Sequence, residues 1–318
     1  MKIARGILIT LLSGLAGPGA AEAPEGLILV AHRGVVTDTV TENSLESLEG
    51  AILRGYTHVE VDIRLTKDGH AVCLHDSSLR RTTGIDKRIH EVTLRELRKL
   101  VPVNVVPSFE TYCDHAAGRI DLMPDIKDYP PDMRQTFIAA LDATLTKYGL
   151  MDNALFIGRK EIAKPFMGRA RVSTSKSPER LARRDSAHTD TASDRARTHP
   201  APTPHPTPNV IPAKAGISRN AGAPIPAEQN QSVPSAQSEA QTNLARNYFV
   251  FAHAKDFTRE NVRAYQALGL QVIVSINTFH YPTGDYMKQG LDDVQKMLDY
   301  GVDGLQIDAV YDAGILRR

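Results

Sequence analysis

His32, His75, Arg33 and the alternating carboxylates Glu60 and Asp62 fall within one short stretch of the chain, residues 31–84. It reads AHRG, then ENSLESL, then HVEVDIRLTKDGHAVCLHDSSLRRTTG. Glu60 and Asp62 alternate along an apolar run that reads as a strand, so both side chains leave the same face. Two carboxylates on one face suit a hard divalent cation. His32 and His75 carry imidazoles that exchange protons near neutral pH. Arg33 carries a guanidinium that grips phosphate oxygens in pairs. A cation, two imidazoles and a guanidinium together suit attack on a phosphate ester.

The flanking segments read as the elements that must position these groups. LILVAHRG is a short apolar run ending in polar residues, a buried strand. SLESLEGAILRG is a helix that Asn43 or Ser44 can cap and Gly55 ends. THVEVDIRLT is a strand, Lys67-Asp68-Gly69 a tight turn, and AVCLHD the returning strand of a hairpin. VPSFETYCDHAAG predicts a helix with Ser108 as its N-cap, and RIDLMPDIKD predicts a strand with polar residues at its carboxyl end. ALFIG, RARVSTS, YFVFAH, LQVIVSINT and DGLQID complete a set of eight strands interleaved with helices, the hairpin's returning strand AVCLHD apart. Polar residues recur just past strand ends: His32, Glu60, Asp62, Asp125, Lys127, His253, Asn277 and Asp308. That layout predicts an α/β fold, a closed (β/α)₈ TIM barrel with its site at the carboxyl ends of the strands. A doubly wound open sheet is the alternative, but it would carry a Gly-rich nucleotide turn that this sequence lacks.

Composition narrows the function. The 318 residues carry a formal net charge of +1, so bulk electrostatics gives no case for nucleic acid. Trp is absent and aromatics make up 6%, which argues against a base-stacking platform. Lys2 and Arg5, the apolar run 7–15 and small residues up to Ala21 read as a secretory signal peptide over 1–21. The expected location is exported, periplasmic or secreted, with no stable membrane span after cleavage. The two cysteines, Cys73 and Cys113, sit in an apolar strand and a helix and read as buried small hydrophobes. Residues 22–318 then form the barrel, interrupted at about 178–246 by a stretch rich in Ser, Thr, Pro, Ala, Asn and Gln. So few large apolar residues cannot offset ordering entropy, and the stretch reads as a disordered insertion between units five and six.

HRG, ENS, EVDIRLTKDG, LHD with RTTG, VPSFE, DIK and GVDGLQIDAVYDAGIL occur in the order and spacing of the glycerophosphodiester phosphodiesterases. The chain resembles that family over most of 27–316, apart from the insertion. The resemblance implies metal-dependent hydrolysis of small-molecule glycerophosphodiesters to glycerol 3-phosphate and an alcohol such as choline or ethanolamine. It makes Glu60, Asp62 and Asp125 the metal ligands, with Asp125 standing where many members carry Glu. Three carboxylates suit Mg²⁺ or Ca²⁺. His32 and His75 become the acid–base pair, while Arg33 and Lys127 bind the substrate phosphate. Glu42 is placed to help hold the ion or orient His32, Asn43 to cap the helix, Asp76 to orient His75, and Arg81 and Thr82 to pin the next loop. Many members carry Trp near the end of the seventh strand. Here Ser275 and Asn277 stand there, with Phe279 or Tyr281 as a substitute wall, Asn277 as a donor to a substrate hydroxyl, and Asp308 as a structural partner. Two other readings share the fold: a sphingomyelinase D-like phosphodiesterase acting on phospholipids, and a catalytically weak barrel that binds phosphorylated polyols.

Overall fold

The computed structural model describes residues 25–183 and 236–316. The expected signal peptide over 1–21 and the centre of the insertion lie outside the described residues. Among the described residues nine strands form: β1 (Ile28–Ala31), β2 (His58–Leu65), β3 (Ala71–Cys73), β4 (Asp121–Ile126), β5 (Leu155–Gly158), β6 (Arg171–Thr174), β7 (Tyr248–His253), β8 (Val272–Ile276) and β9 (Gly304–Ile307). Eight of them pair in parallel, and β1 bonds to both β2 and β9, which closes the barrel. The ninth, β3, is antiparallel to β2 and forms the hairpin that the Asp-Gly turn predicts.

Alternation sorts the side chains. Val59, Val61 and Ile63 join Phe109, Tyr112 and Phe137 in one buried cluster between strands and helices. Val30, Met123, Leu155, Phe249 and Ile273 form a separate cluster, the filling of the barrel itself. The even-numbered residues of β2 therefore face inward: His58 low, Glu60 in the middle, Asp62 high. Helix Phe109–Ala116 starts at Ser108, whose side chain accepts the Thr111 N–H as expected of an N-cap. Cys73 and Cys113 are both buried free thiols.

The compositional break at 178–246 is narrower in the structure. Residues 178–183 and Ala236–Asn247 are helical, and Leu181 and Leu244 are buried in the main core cluster. One leucine at each end gives the barrel wall enough apolar surface to order the flanks of an otherwise polar stretch.

His58 is buried, and its Nδ1 pairs with Thr57 Oγ1 at 3.0 Å. Burial, with repulsion from Arg171 and against the pull of Asp121, pushes its pKa down to about 4. The unfolded chain takes up this proton near the ordinary value while the folded chain resists it. Stability is therefore full above about pH 6.5 and falls by up to about 3 kcal/mol as pH drops towards 4. Urea unfolding across that window reads the loss, and His58→Gln flattens the slope.

Candidate active site

The chain turns sharply where β1 ends. The His32 N–H still donates to Ile307 O at 2.9 Å, but Arg33 adopts φ +58° and Gly34 φ +83°. At Gly34 a Cβ would lie 2.6 Å from Ser47 O, so this approach needs glycine. The left-handed Arg33 is held by its own N–H on Glu60 Oε2 (2.9 Å) and by the Asn43 N–H and Ser47 hydroxyl on its carbonyl. Asn43 is also left-handed, at φ +57°. Its side chain clamps Asp62 twice: Nδ2 donates to Asp62 Oδ2 at 2.7 Å, and Oδ1 accepts the Asp62 N–H at 3.0 Å. Two strained backbones thus converge on two carboxylates, a pattern expected at functional sites. The N-cap of helix Leu45–Leu53 is Ser44, not Asn43, because the Asn43 side chain is committed to Asp62.

Parallel register sets Asp62 of β2 beside Asp125 of β4. Ligand oxygens of Glu60, Asp62 and Asp125 all lie within 4.8 Å of one another. Asp125 Oδ1 sits against Gly158, where a Cβ would come within 2.4 Å of it, so the bare backbone makes room for this carboxylate. Lys127 Nζ lies 2.7 Å from Asp62 Oδ1 and 2.5 Å from Asp125 Oδ2, and Arg33 Nε lies 3.3 Å from Asp62 Oδ2. Burial works against the charge on Arg33 and Lys127, but Asp62 and the other carboxylates outweigh it and raise both above their ordinary values. Burial likewise opposes the Asp62 charge, and Lys127 and Arg33 outweigh it and lower its pKa. Glu60 shows the opposite balance: burial, with repulsion from Asp62 and Asp125, drives it well above the carboxylate range. Three inward carboxylates thus face two cations, in an all-oxygen donor set of the kind a hard divalent cation takes. The residues fit such an ion.

His75 follows β3, whose neighbour Leu74 donates its N–H to Asp62 O at 3.0 Å. Its Nδ1 lies 2.7 Å from Asp76 Oδ1. Asp76 accepts from Arg81 Nε, Arg81 Nη2 reaches Glu42 Oε1, and Glu42 Oε2 accepts from Arg33 Nη1. A continuous chain of charge-paired groups therefore links Arg33 to His75. The Arg81 hydrogen bond leads in holding the Asp76 carboxyl down at about 2. Glu42 bridges two arginines in this chain, so the expectation that it helps hold the ion or orients His32 is corrected. Arg64, which the sequence reading passed over, donates through Nε and Nη2 to His75 O at 2.8 and 2.7 Å. Its signal was available: it is the next alternate position on β2 after Glu60 and Asp62.

His32 Nδ1 lies 2.6 Å from Asp308 Oδ1, while Asp308 Oδ2 accepts the N–H and the hydroxyl of Thr278. Each imidazole thus has Nδ1 on a carboxylate, which favours the Nδ1–H tautomer and leaves Nε2 for proton transfer. Asn277 does not serve as a donor to substrate. Its Nδ2 goes to Ser275 Oγ and Gln306 Oε1, and Ser275 donates to the same Gln306 oxygen in a buried network. Phe279 is 65% exposed at the rim, with its ring centroid 5.8 Å from that of His32. Tyr281 turns its hydroxyl to Asp293 instead, so Phe279 is the aromatic beside the site. His253 stands at the rim, its ring 4.0 Å from that of His280.

The closed parallel barrel and the carboxylate cluster at the carboxyl ends of β2 and β4 define the class: a TIM barrel with an acidic, cation-competent mouth. Residues 32–161 match the sequence profile of the glycerophosphoryl diester phosphodiesterase family. A glycerophosphodiester phosphodiesterase of Caldanaerobacter subterraneus subsp. tengcongensis is 38% identical over 73 residues, 23% of this chain and 30% of that protein. Glycerophosphodiester phosphodiesterase 1 of Homo sapiens is 41% identical over 73 residues, 23% of this chain and 22% of that protein. The matched stretch thus spans under a third of the length of these curated relatives. Among solved structures, an Oleispira antarctica phosphodiesterase in complex with the product sn-glycerol-3-phosphate superposes with a TM-score of 0.58 at 20% identity. That match covers 92% of this chain and 97% of the other. A glycerophosphodiester phosphodiesterase from Agrobacterium tumefaciens gives 0.57 at 14% identity, covering 91% and 99%. At such identities the likeness is one of fold.

Proposed function

We propose that this chain is a divalent-cation-dependent phosphodiesterase that hydrolyses glycerophosphodiesters to glycerol 3-phosphate and an alcohol. The observation that carries this reading is the cluster of Glu60, Asp62 and Asp125 oxygens within 4.8 Å of one another, at the mouth of a barrel that matches this family's profile over residues 32–161. These three residues would hold Mg²⁺ or Ca²⁺, which when bound supplies Lewis-acid polarisation of a phosphoryl oxygen. Arg33 and Lys127 bind and orient the remaining ester oxygens and offset charge as it builds on phosphorus. One of His32 and His75 takes a proton at Nε2 from the attacking water, and the other gives one to the departing alkoxide. Asp308 and Asp76 hold the two rings. Residues 1–21 direct export with cleavage after Ala21, and N-terminal sequencing of the exported protein would then begin at Glu22.

The test is turnover of a glycerophosphodiester before chelation, after it, and after Mg²⁺ or Ca²⁺ is restored, with products read by phosphorus NMR. The proposal expects loss on chelation, recovery on restoration, and a phosphomonoester product. Turnover that survives complete chelation overturns the cation reading, and a cyclic phosphate product overturns hydrolysis. Asp308→Asn adds a positioning test. We expect kcat to fall by about 10- to 100-fold and the limb of the pH–rate profile that belongs to His32 to move, with the fold unchanged. An unmoved profile contradicts the role given to Asp308.

A further inference from the structure

Beside the carboxylate cluster lies a groove of about 440 Å³ that the proposed hydrolysis does not use. One wall comes from the loop after β3, with Ser77, Arg88 and His90. The other comes from the residues after β4, with Asp128, Tyr129 and Pro130. Arg64 and Leu65 of β2 also line it.

The position of Arg64 ties this groove to the chemistry. Glu60, Asp62 and Arg64 are alternate residues of β2, so Arg64 lies on the face of the carboxylates, about 7 Å beyond Asp62 at ~3.3 Å per residue. An ester held at the level of Asp62 and Asp125 therefore has the groove within reach of one of its two arms.

The charge of the groove is one-sided. The half-buried Arg64 guanidinium makes its hydrogen bonds to carbonyl oxygens, two to His75 O and one to Asp128 O, while Asp62, Asp76 and Asp125 act on its charge only through space. Arg88 is exposed, and among the described residues no ion pair engages its side chain; only its backbone N–H meets a carboxylate, that of Glu91. His90 is exposed on the same wall. The one carboxylate of the lining, Asp128, is ion-paired with Arg159 and so is already matched. The unpaired Arg88 guanidinium, with Arg64 of the same lining bonded to no carboxylate, suits an anion over the open groove, whereas a quaternary ammonium is repelled there.

We propose that this groove is a second anion subsite that takes a phosphate or carboxylate on the alcohol half of the substrate, so that diesters of acidic alcohols are preferred over those of choline or ethanolamine. The glycerol half of a glycerophosphodiester is neutral, so a second anion comes only from the other arm. This inference rests on the phosphodiesterase reading above and narrows its substrate class.

The experiment compares three diesters of glycerol 3-phosphate, whose alcohols are a phosphorylated polyol, a neutral polyol and choline. Each is tested on the unaltered protein and on Arg88→Glu. The expected ranking in the unaltered protein is phosphorylated over neutral by about tenfold in kcat/KM, expressed in KM and weakened by salt, with choline last. Arg88→Glu removes that advantage and leaves the neutral diester within about twofold, since Arg88 touches neither the carboxylates nor the imidazoles. A choline diester turned over best, or a ranking that Arg88→Glu does not change, overturns the subsite. Arg88→Ala provides the same comparison at smaller amplitude if the reversal impairs folding.

A separate arm reads binding alone. By calorimetry the phosphorylated polyol binds the unaltered protein at least fivefold tighter than Arg88→Glu, whether or not any diester is turned over, so the subsite and the phosphodiesterase reading fail separately. Inorganic phosphate that binds through Arg88 but inhibits without competing with diester identifies an effector site and overturns the substrate role.

Discussion

Replacing either His32 or His75 with alanine lowers kcat by about 10²- to 10⁴-fold, the range expected when a positioned acid or base is removed. The two losses arise differently. His75 is 32% exposed on its side chain and its Nδ1 partner Asp76 keeps Arg81 when the ring goes, so His75→Ala leaves the unfolding temperature close to that of the unaltered protein. His32 is 11% exposed, and its partner Asp308 retains only Thr278, so His32→Ala costs some stability as well. Steady-state rates across pH separate the roles: each variant loses a different limb of the bell. Near-normal turnover in both variants contradicts the assignment.

Asp62→Asn produces the second large effect. Asp62 is 1% exposed and meets Asn43 Nδ2, Lys127 Nζ and Arg33 Nε at once. An amide in its place sets an NH₂ group against donors on one side or the other and removes one of three negative charges from the cluster. Cation affinity and kcat each fall by about three orders of magnitude. Folding loses roughly 1–3 kcal/mol, because Arg33 and Lys127 keep Glu42 and Asp125 as partners. Glu60 moves the other way. With the Asp62 charge gone, its carboxyl ionises more readily, which partly offsets the loss. Calorimetric titration with Mg²⁺ and steady-state kinetics read the two effects. Unaltered cation affinity in Asp62→Asn contradicts its place among the ligands.

The barrel was legible because its signals are local. Glu60 and Asp62 show their shared face by alternation, the Asp-Gly turn shows the hairpin, and polar residues at strand ends mark the mouth. Contacts between distant segments were not legible. Asp308 meets His32 across 276 residues of chain, and nothing in the spacing of either reveals it. Asn43 reads as a helix cap because Asn is a good one, and only the left-handed backbone aimed at β2 turns it into a clamp on Asp62. Glu42 has the chemistry of a cation ligand, but two arginines claim it first. The ends of the polar stretch were hidden for a related reason. Leu181 and Leu244 are single apolar residues in polar surroundings, and their value comes from the barrel wall they cover.

Cation binding to chelator-stripped protein tests the central claim most directly. Titration with Mg²⁺ or Ca²⁺, followed by calorimetry and by the rise in unfolding temperature, should give one site per chain. That site should vanish in Asp62→Asn and weaken in Glu60→Gln and Asp125→Asn. Binding that is absent, or that persists unchanged in all three variants, contradicts it.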